Sequence, residues 1–247
     1  FMGDIMGHGP QIRSAYQNSE KKYNYDKVFE PLEDIISSVD FAVANLEVTL
    51  AGPPYMGYPQ FSSPDELAEA CKNNGVDVLV TANNHSCDRK NSGVIRTVEV
   101  LDSFKILHTG TFKDEKKRAQ ENLLILSKKG IKVGLLNYTY GTNGIPFSTP
   151  AYVNMLDSSL IKQDVINARK KKLDKLIVFV HWGYEYRDFP NSYQKKFNTF
   201  FNEIGVDVVI GSHPHVLQPM IYNIENNKEF LTVFSLGNFV SNQRESR

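Results

Sequence analysis

The residues best suited to chemistry stand in GSHPHVLQP, Gly211 to Pro219, where His213 and His215 flank Pro214. The apolar run Gly205 to Ile210 (GVDVVI) feeds into them and has the length and β-branched content of a strand buried on both faces. In open α/β sheets, sites gather in the crevice beyond the carboxyl ends of the strands. Two neutral imidazoles held close by a proline-fixed backbone read there as half of a metal site. The other half must lie upstream.

Five of the six histidines (His8, His85, His181, His213 and His215) follow directly on an expected strand, and so do Asp4, Glu47 and Asn84. The elements that must position them are legible in order. Gly3-Asp4-Ile5-Met6-Gly7-His8 opens as a strand end and turn. Asp40–Ala44 is expected as a strand ending at Asn45-Leu46-Glu47, and Val76–Thr81 as one ending at Ala82-Asn83-Asn84-His85. Leu176–Val180 is a buried strand capped by His181-Trp182-Gly183, and Leu231–Phe234 ends at Ser235-Leu236-Gly237-Asn238. Helical patterns cover Tyr25–Val39, Gly93–Phe104, Ser158–Lys172 and Tyr193–Ile204, and a capped helix starts at Ser63-Pro64-Asp65-Glu66. Hairpins are expected across Lys128-Lys129-Gly130 and at Glu225–Glu229. Strand–helix–strand order broken by two hairpins predicts an α/β protein, residues 1–247 forming one domain. Each strand should deliver its polar residue to the same edge of a sheet. His108, without polar company, reads as structural.

Imidazoles and carboxylates suit one or two divalent ions such as Zn, Mn or Fe, and only two cysteines, Cys71 and Cys87, argue against iron–sulfur clusters. Cys71 reads as a buried helix residue; Cys87 is a ligand, a ligand's neighbour or filler. Glu47 can bridge two metals and Asn84 can add a neutral oxygen. Two ions ~3.5–4 Å apart would clamp a phosphoryl group and generate hydroxide near neutral pH. His85 is then placed to protonate a leaving oxygen, with Asp88 three residues on to orient its ring. Simpler explanations exist for each residue: His213 and His215 bonding a turn, Asn83-Asn84 as turn residues, Asp4 and Asp40 as caps. All of them would have to hold at once, which favours a shared polar site.

Lys plus Arg and Asp plus Glu both number 28, so the formal net charge is zero, which argues against bulk attraction to nucleic acid or anionic membrane. No run approaches the ~18 apolar residues of a membrane helix. Both ends read as trimmed, so an anchor or secretion signal beyond them is expected, with a location in the cell envelope.

GDIMGH (Gly3–His8), ANLEVTL (Ala44–Leu50), TANNHSCD (Thr81–Asp88), HWGYEY (His181–Tyr186), GSHPHVLQP and SLGNFVSNQ (Ser235–Gln243) resemble, in order, the motifs of the CapA family of bacterial capsule and poly-γ-glutamate biosynthesis proteins. That family looks like a branch of the calcineurin-like metallophosphoesterases. The resemblance implies a four-layer α/β/β/α sandwich with a dimetal centre at the strand ends. It implies Asp4, Glu47, Asn84, His181, His213 and His215 as ligands and His85 as the catalytic histidine. Asp88 is expected beside it, and His8, Asn45, Asn83, Glu185 and Asn238 as second-layer or substrate contacts. Two departures stand out: Met6 occupies the place of a ligand histidine, for which His8 is the candidate replacement, and Glu47 replaces a shorter bridging aspartate. The implied role is a metal-dependent hydrolase in cell-surface polymer synthesis, acting on the polymer or its precursor beside a membrane-bound synthase or exporter. The alternative is a non-catalytic scaffold binding the same partners, and a nuclease is the weakest of the three readings.

Overall fold

A computed structural model describes residues 1–225 and 228–244. The first sheet is built from β1 (Asp4–Ile5), β2 (Val43–Leu46), β3 (Val78–Val80) and β4 (Leu107–Thr109). The second takes β5 (Leu124–Lys128), β6 (Ile131–Thr139), β7 (Lys175–His181), β8 (Val208–Ser212), β9 (Leu217–Glu225) and β10 (Lys228–Leu236). The last strand, β11 (Asn238–Val240), returns to the first sheet. Strand order is β11-β1-β2-β3-β4 in one sheet and β9-β10-β8-β7-β6-β5 in the other. The first sheet is wholly parallel; the second has antiparallel pairs only at its two margins, β5 with β6 and β9 with β10.

Period-two alternation sorts the side chains into layers. Val43, Val78 and Val80 from the first sheet meet Leu126, Leu135, Phe179 and Ile210 from the second in one buried cluster, so the two sheets pack face to face. Their neighbours in sequence point outward. Ala44 and Leu79 join Leu67, Ala70 and Cys71 of helix α1 (Glu66–Asn73). Leu136, Val178, Val180 and Val209 join Ile161 and Val165 of α3 (Ser158–Arg169) and Phe201 of α4 (Ser192–Glu203). Helix α2 (Lys90–Ser103) covers a smaller cluster, Ala82, Cys87, Val94, Ala151 and Val153, which makes Cys87 a packing residue. Helix, sheet, sheet and helix stack as four layers.

Parallel strands end together, and the pairing lines their ends up in two facing rows. Asp4 is opposite Asn45 on one side and Asn238 on the other, while His181 is opposite Ser212 and Thr139. Gly237, at φ +66°, carries the chain from β10 to β11 and so from one sheet to the other. Only glycine adopts that backbone readily.

Several expected boundaries move. β2 starts at Val43 rather than Asp40, because Ala42 is tied to Asp77: its N–H donates to Asp77 Oδ2 at 2.8 Å, outside the ladder. Asn45 and Leu46 therefore belong to the strand. His181 is likewise the last residue of β7. The expected helix over Tyr25–Val39 breaks into Asp26–Phe29, a 3₁₀ turn with Pro31, and Glu33–Ser37. Proline lacks the donor that would continue the helix. Only Phe29 and Ile36 of its apolar stripe are buried, and Val28 and Ile35 are exposed. Asn226 and Asn227, within the hairpin expected at Glu225–Glu229, and the last three residues lie outside the described residues.

Candidate metal centre

Alternation that puts Val43 and Phe179 between the sheets also sends Asn45, Glu47 and His181 into the same interior, at its open end. Glu47 still follows β1, its N–H donating to Ile5 O at 2.9 Å. Asp4, Glu47 and His181 are fully buried, and Asn84, His85, His213 and His215 nearly so. Their donor atoms converge. Glu47, His181 and His213 form one set with ligand atoms within 4.8 Å of one another, and Asp4, Glu47 and His215 form a second, sharing Glu47. Asn84 Oδ1 lies 2.9 Å from His181 Nε2, which adds it to the first set. The six expected ligands therefore surround one site.

A layer of hydrogen bonds fixes them. Ser212 Oγ sits 2.8 Å from His181 Nδ1, leaving Nε2 to face Asn84 and Glu47. Asn83 Nδ2 donates to Leu46 O (2.8 Å) and Asn45 Oδ1 (3.2 Å), and Asn45 Nδ2 donates to Asp4 Oδ1 (2.8 Å). Asn45 and Asn83 thus hold Asp4 and the end of β2 in place. Asn238 Oδ1 holds His215 Nδ1 at 2.9 Å. His213 and His215 sit at φ +97° and +58°, a costly backbone for residues with a Cβ. They are held there from outside: the His213 N–H donates to Asp4 Oδ2 at 3.3 Å, and the Tyr186 N–H to Pro214 O at 2.8 Å.

Electrostatics point the same way. Burial and then the charge of Asp4 push the Glu47 carboxyl well above its usual range. Burial, with neighbouring imidazoles, drives His181 well below its usual value and His213 down to about 3. Burial opposes charge on His215 too, but its hydrogen bond to Asp4 and the charges of Asp4 and Glu185 prevail and raise it. Both Glu47 oxygens and His213 Nδ1 are buried without a hydrogen-bond partner among the described residues. Leaving a carboxylate and an imidazole so placed is expensive unless a cation satisfies them. The donor set, carboxylate, imidazole and amide oxygen, fits one or two borderline divalent ions.

Beside this centre His85 Nδ1 lies 2.7 Å from Asp88 Oδ2, which also accepts the Phe61 N–H at 2.7 Å. Phe61 meets the His85 ring edge to face at 4.7 Å. A cavity of 300 Å³ opens here, lined by Tyr58, Gln60, Asn84, His85, Asn143 and Glu185 among others.

Two expected placements change. His8 does not take the place left by Met6: it precedes the helix Gly9–Ala15, with Nδ1 3.1 Å from Gln11 Oε1 and 3.3 Å from the Asn242 N–H. Among the described residues it belongs to no group of metal donors. Glu185, expected as a substrate contact, stands within 4.8 Å of the donor atoms of His213 and His215. Sequence reasoning missed Ser212, and the Tyr140 ring lies parallel to that of His181 (9°, 6.3 Å). Asn143 Oδ1 accepts from Asn84 Nδ2 at 3.2 Å. A polar Ser212 closing an apolar strand was the one available signal.

The family described as bacterial capsule synthesis protein PGA_cap matches residues 1–243. The chain belongs to that family. Two curated relatives are the capsule biosynthesis protein CapA of Bacillus anthracis and the PGA biosynthesis protein CapA of Bacillus subtilis, each 28% identical over 261 aligned positions. All of this chain is covered, but it spans 60% and 64% of those relatives. Similar solved structures include a hypothetical protein of Thermus thermophilus (TM-score 0.58, 16% identity, 96% of this chain and 75% of that one). The NAD nucleotidase of Haemophilus influenzae follows closely (0.57, 14%, 85% and 43%). The sulfate thiohydrolase SoxB of Thermus thermophilus also matches (0.53, 15%, 85% and 38%). Likeness at this identity establishes the fold alone, and that fold is the calcineurin-like metallophosphoesterase sandwich. Among the described residues of this PGA_cap chain, no helix is long and apolar enough to cross a membrane.

Proposed function

We propose that this protein is a metal-dependent hydrolase of phosphoesters, or of a similar ester or amide linkage, serving assembly of a cell-surface polymer. The observation that carries the reading is the pair of unpartnered buried Glu47 oxygens beside three buried imidazoles. Asp4, Glu47, Asn84, His181, His213 and His215 would hold one or two ions, Mn, Zn or Fe. When bound, such ions would supply positive charge for a phosphoryl oxygen and would acidify water toward neutral pH. The chain's own part is positional. Ser212 and Asn238 orient His181 and His215, and Asn45 orients Asp4. His85, held through Nδ1 by Asp88, keeps Nε2 for the cavity and donates a proton to the leaving oxygen. The substrate enters the 300 Å³ cavity past Tyr58 and Glu185.

In this proposal the substrate is a cell-surface polymer or its precursor, the partners are membrane-bound synthase or export proteins, and the location is the cell envelope outside the cytoplasm. The zero net charge gives no support to a nucleic-acid substrate. The test is steady-state hydrolysis of aryl phosphate mono- and diesters by protein loaded with Mn²⁺ or Zn²⁺, against His181→Ala. Metal-dependent turnover lost in the variant is expected. Full metal loading without turnover of any ester would favour the non-catalytic reading. That second reading has an observation of its own: edge strand β9 exposes Leu217, Met220, Tyr222 and Ile224. Such an edge suits contact with another protein.

A further inference from the structure

The two donor sets are unequal. Glu47, Asn84, His181 and His213 give one ion four donors, whereas Asp4, Glu47 and His215 give the other three, one of them shared. Oxygen- and imidazole-ligated divalent ions such as Mn²⁺ take more than three ligands. We propose that Glu185 is a metal ligand, its carboxylate completing the poorer set from the solvent side; this rests on the metal-site reading above.

Three observations aim Glu185 at the site. Its carboxylate, His213 and His215 have ligand atoms mutually within 4.8 Å, a donor set that neither of the other two contains. His213 belongs to the same group, and its Nδ1 is buried without a partner among the described residues. The backbone around Glu185 is held from both sides. Gly183, at φ +99°, turns the chain directly against the Gln194 side chain, which a Cβ would meet at 2.7 Å. Three residues later the Tyr186 N–H is tied to Pro214 O, between the two histidines, at 2.8 Å. The HWGYEY and SHPH segments are thus fastened to each other with Glu185 facing across.

Glu185 differs from the other donors in being exposed, and it lines the cavity together with His85 and Asn84. It is therefore a ligand on the entry side, in the layer that a substrate must pass. The six buried residues lie at or just beyond strand ends, and Glu185 meets the site from its open side.

The experiment is calorimetric titration of Mn²⁺ into the metal-stripped full chain, paired with Mn²⁺ electron paramagnetic resonance to count bound ions. Wild type should bind two ions, one tighter than the other. Glu185→Gln should weaken the second ion by at least ~10-fold, the scale on which even supporting partners act, and leave the tight one unchanged. His181→Ala should do the reverse, and Glu185→Asp should restore part of the loss. As an exposed residue Glu185 can be changed without unfolding the chain, checked by circular dichroism. Both affinities within about threefold of wild type in Glu185→Gln would overturn the ligand assignment while leaving the metal centre standing. Wild type that takes up no Mn²⁺ and no Zn²⁺ would overturn the metal centre itself, and Glu185 with it.

Discussion

His85 separates chemistry from binding. Its bond to Asp88 is buried, and it adjoins Asn84 without belonging to a donor set. His85→Gln should keep metal content and melting temperature while lowering turnover of an ester with a poor leaving group by ~10²–10⁴-fold, the usual worth of a positioned acid. An ester with a good leaving group should lose far less, and equal losses for both would deny His85 the acid role. Glu47 and His213 predict opposite responses to pH. Glu47 holds its proton in the folded chain above its ordinary 4.5, so the metal-free protein loses stability as pH rises from there to the folded value. His213 takes up a proton in the folded chain only at about pH 3 instead of 6.5, so its cost appears as pH falls from 6.5 toward 3. Thermal melts of stripped protein should accordingly show Glu47→Gln more stable than wild type at pH 8 but not at pH 4, with stabilisation by added metal lost. A less stable variant at pH 8 would contradict the burial of an uncompensated charge. The residues that converge here were legible because imidazoles and carboxylates directly after apolar runs have few other reasons to be there. Ser212 was not, since a serine at a strand end has many.

Between elements, one side chain fastens the sheets under the site. Asn137, buried on β6, accepts the Ala82 N–H at 2.6 Å and the Thr81 N–H at 3.1 Å, and its Nδ2 donates to Phe179 O at 3.1 Å. It joins the end of β3, which carries Asn84 and His85, to the second sheet. Asn137→Ala strands the buried Ala82 N–H at a cost of about 1–3 kcal/mol. A chain of this size should then melt lower by ~2–4 °C for each kcal/mol. Calorimetry showing no change would mean the staple is redundant. Although β4 and the order within each sheet were not legible, most strands followed from apolar runs and turn residues, including the hairpin at Lys129-Gly130. Boundaries did not, where a long-range bond decided them, as Asp77 does for Ala42. Nor did the inward row of Val43, Asn45 and Glu47, because alternation shows only after pairing fixes which face is inside.

For the molecule as a whole, two sheets of unlike strand order meet so that all parallel strands end on one side, and the polar residues scattered from Asp4 to Asn238 become neighbours there. Six ordered motifs carried the fold, which the PGA_cap match and the structural likenesses bear out. The substrate stayed illegible, because cavity walls such as Tyr58 and Gln60 come from a loop whose path no periodicity records. The central claim is that these strand ends bind metal, and metal content tests it directly. Purified protein equilibrated with Mn²⁺ or Zn²⁺, dialysed, and analysed by inductively coupled plasma mass spectrometry should retain at least one ion per chain. The double variant His181→Ala/His215→Ala, which takes an imidazole from each donor set and is checked for folding by circular dichroism, should retain none. Wild type free of metal after loading, or a double variant that keeps it, would contradict the account.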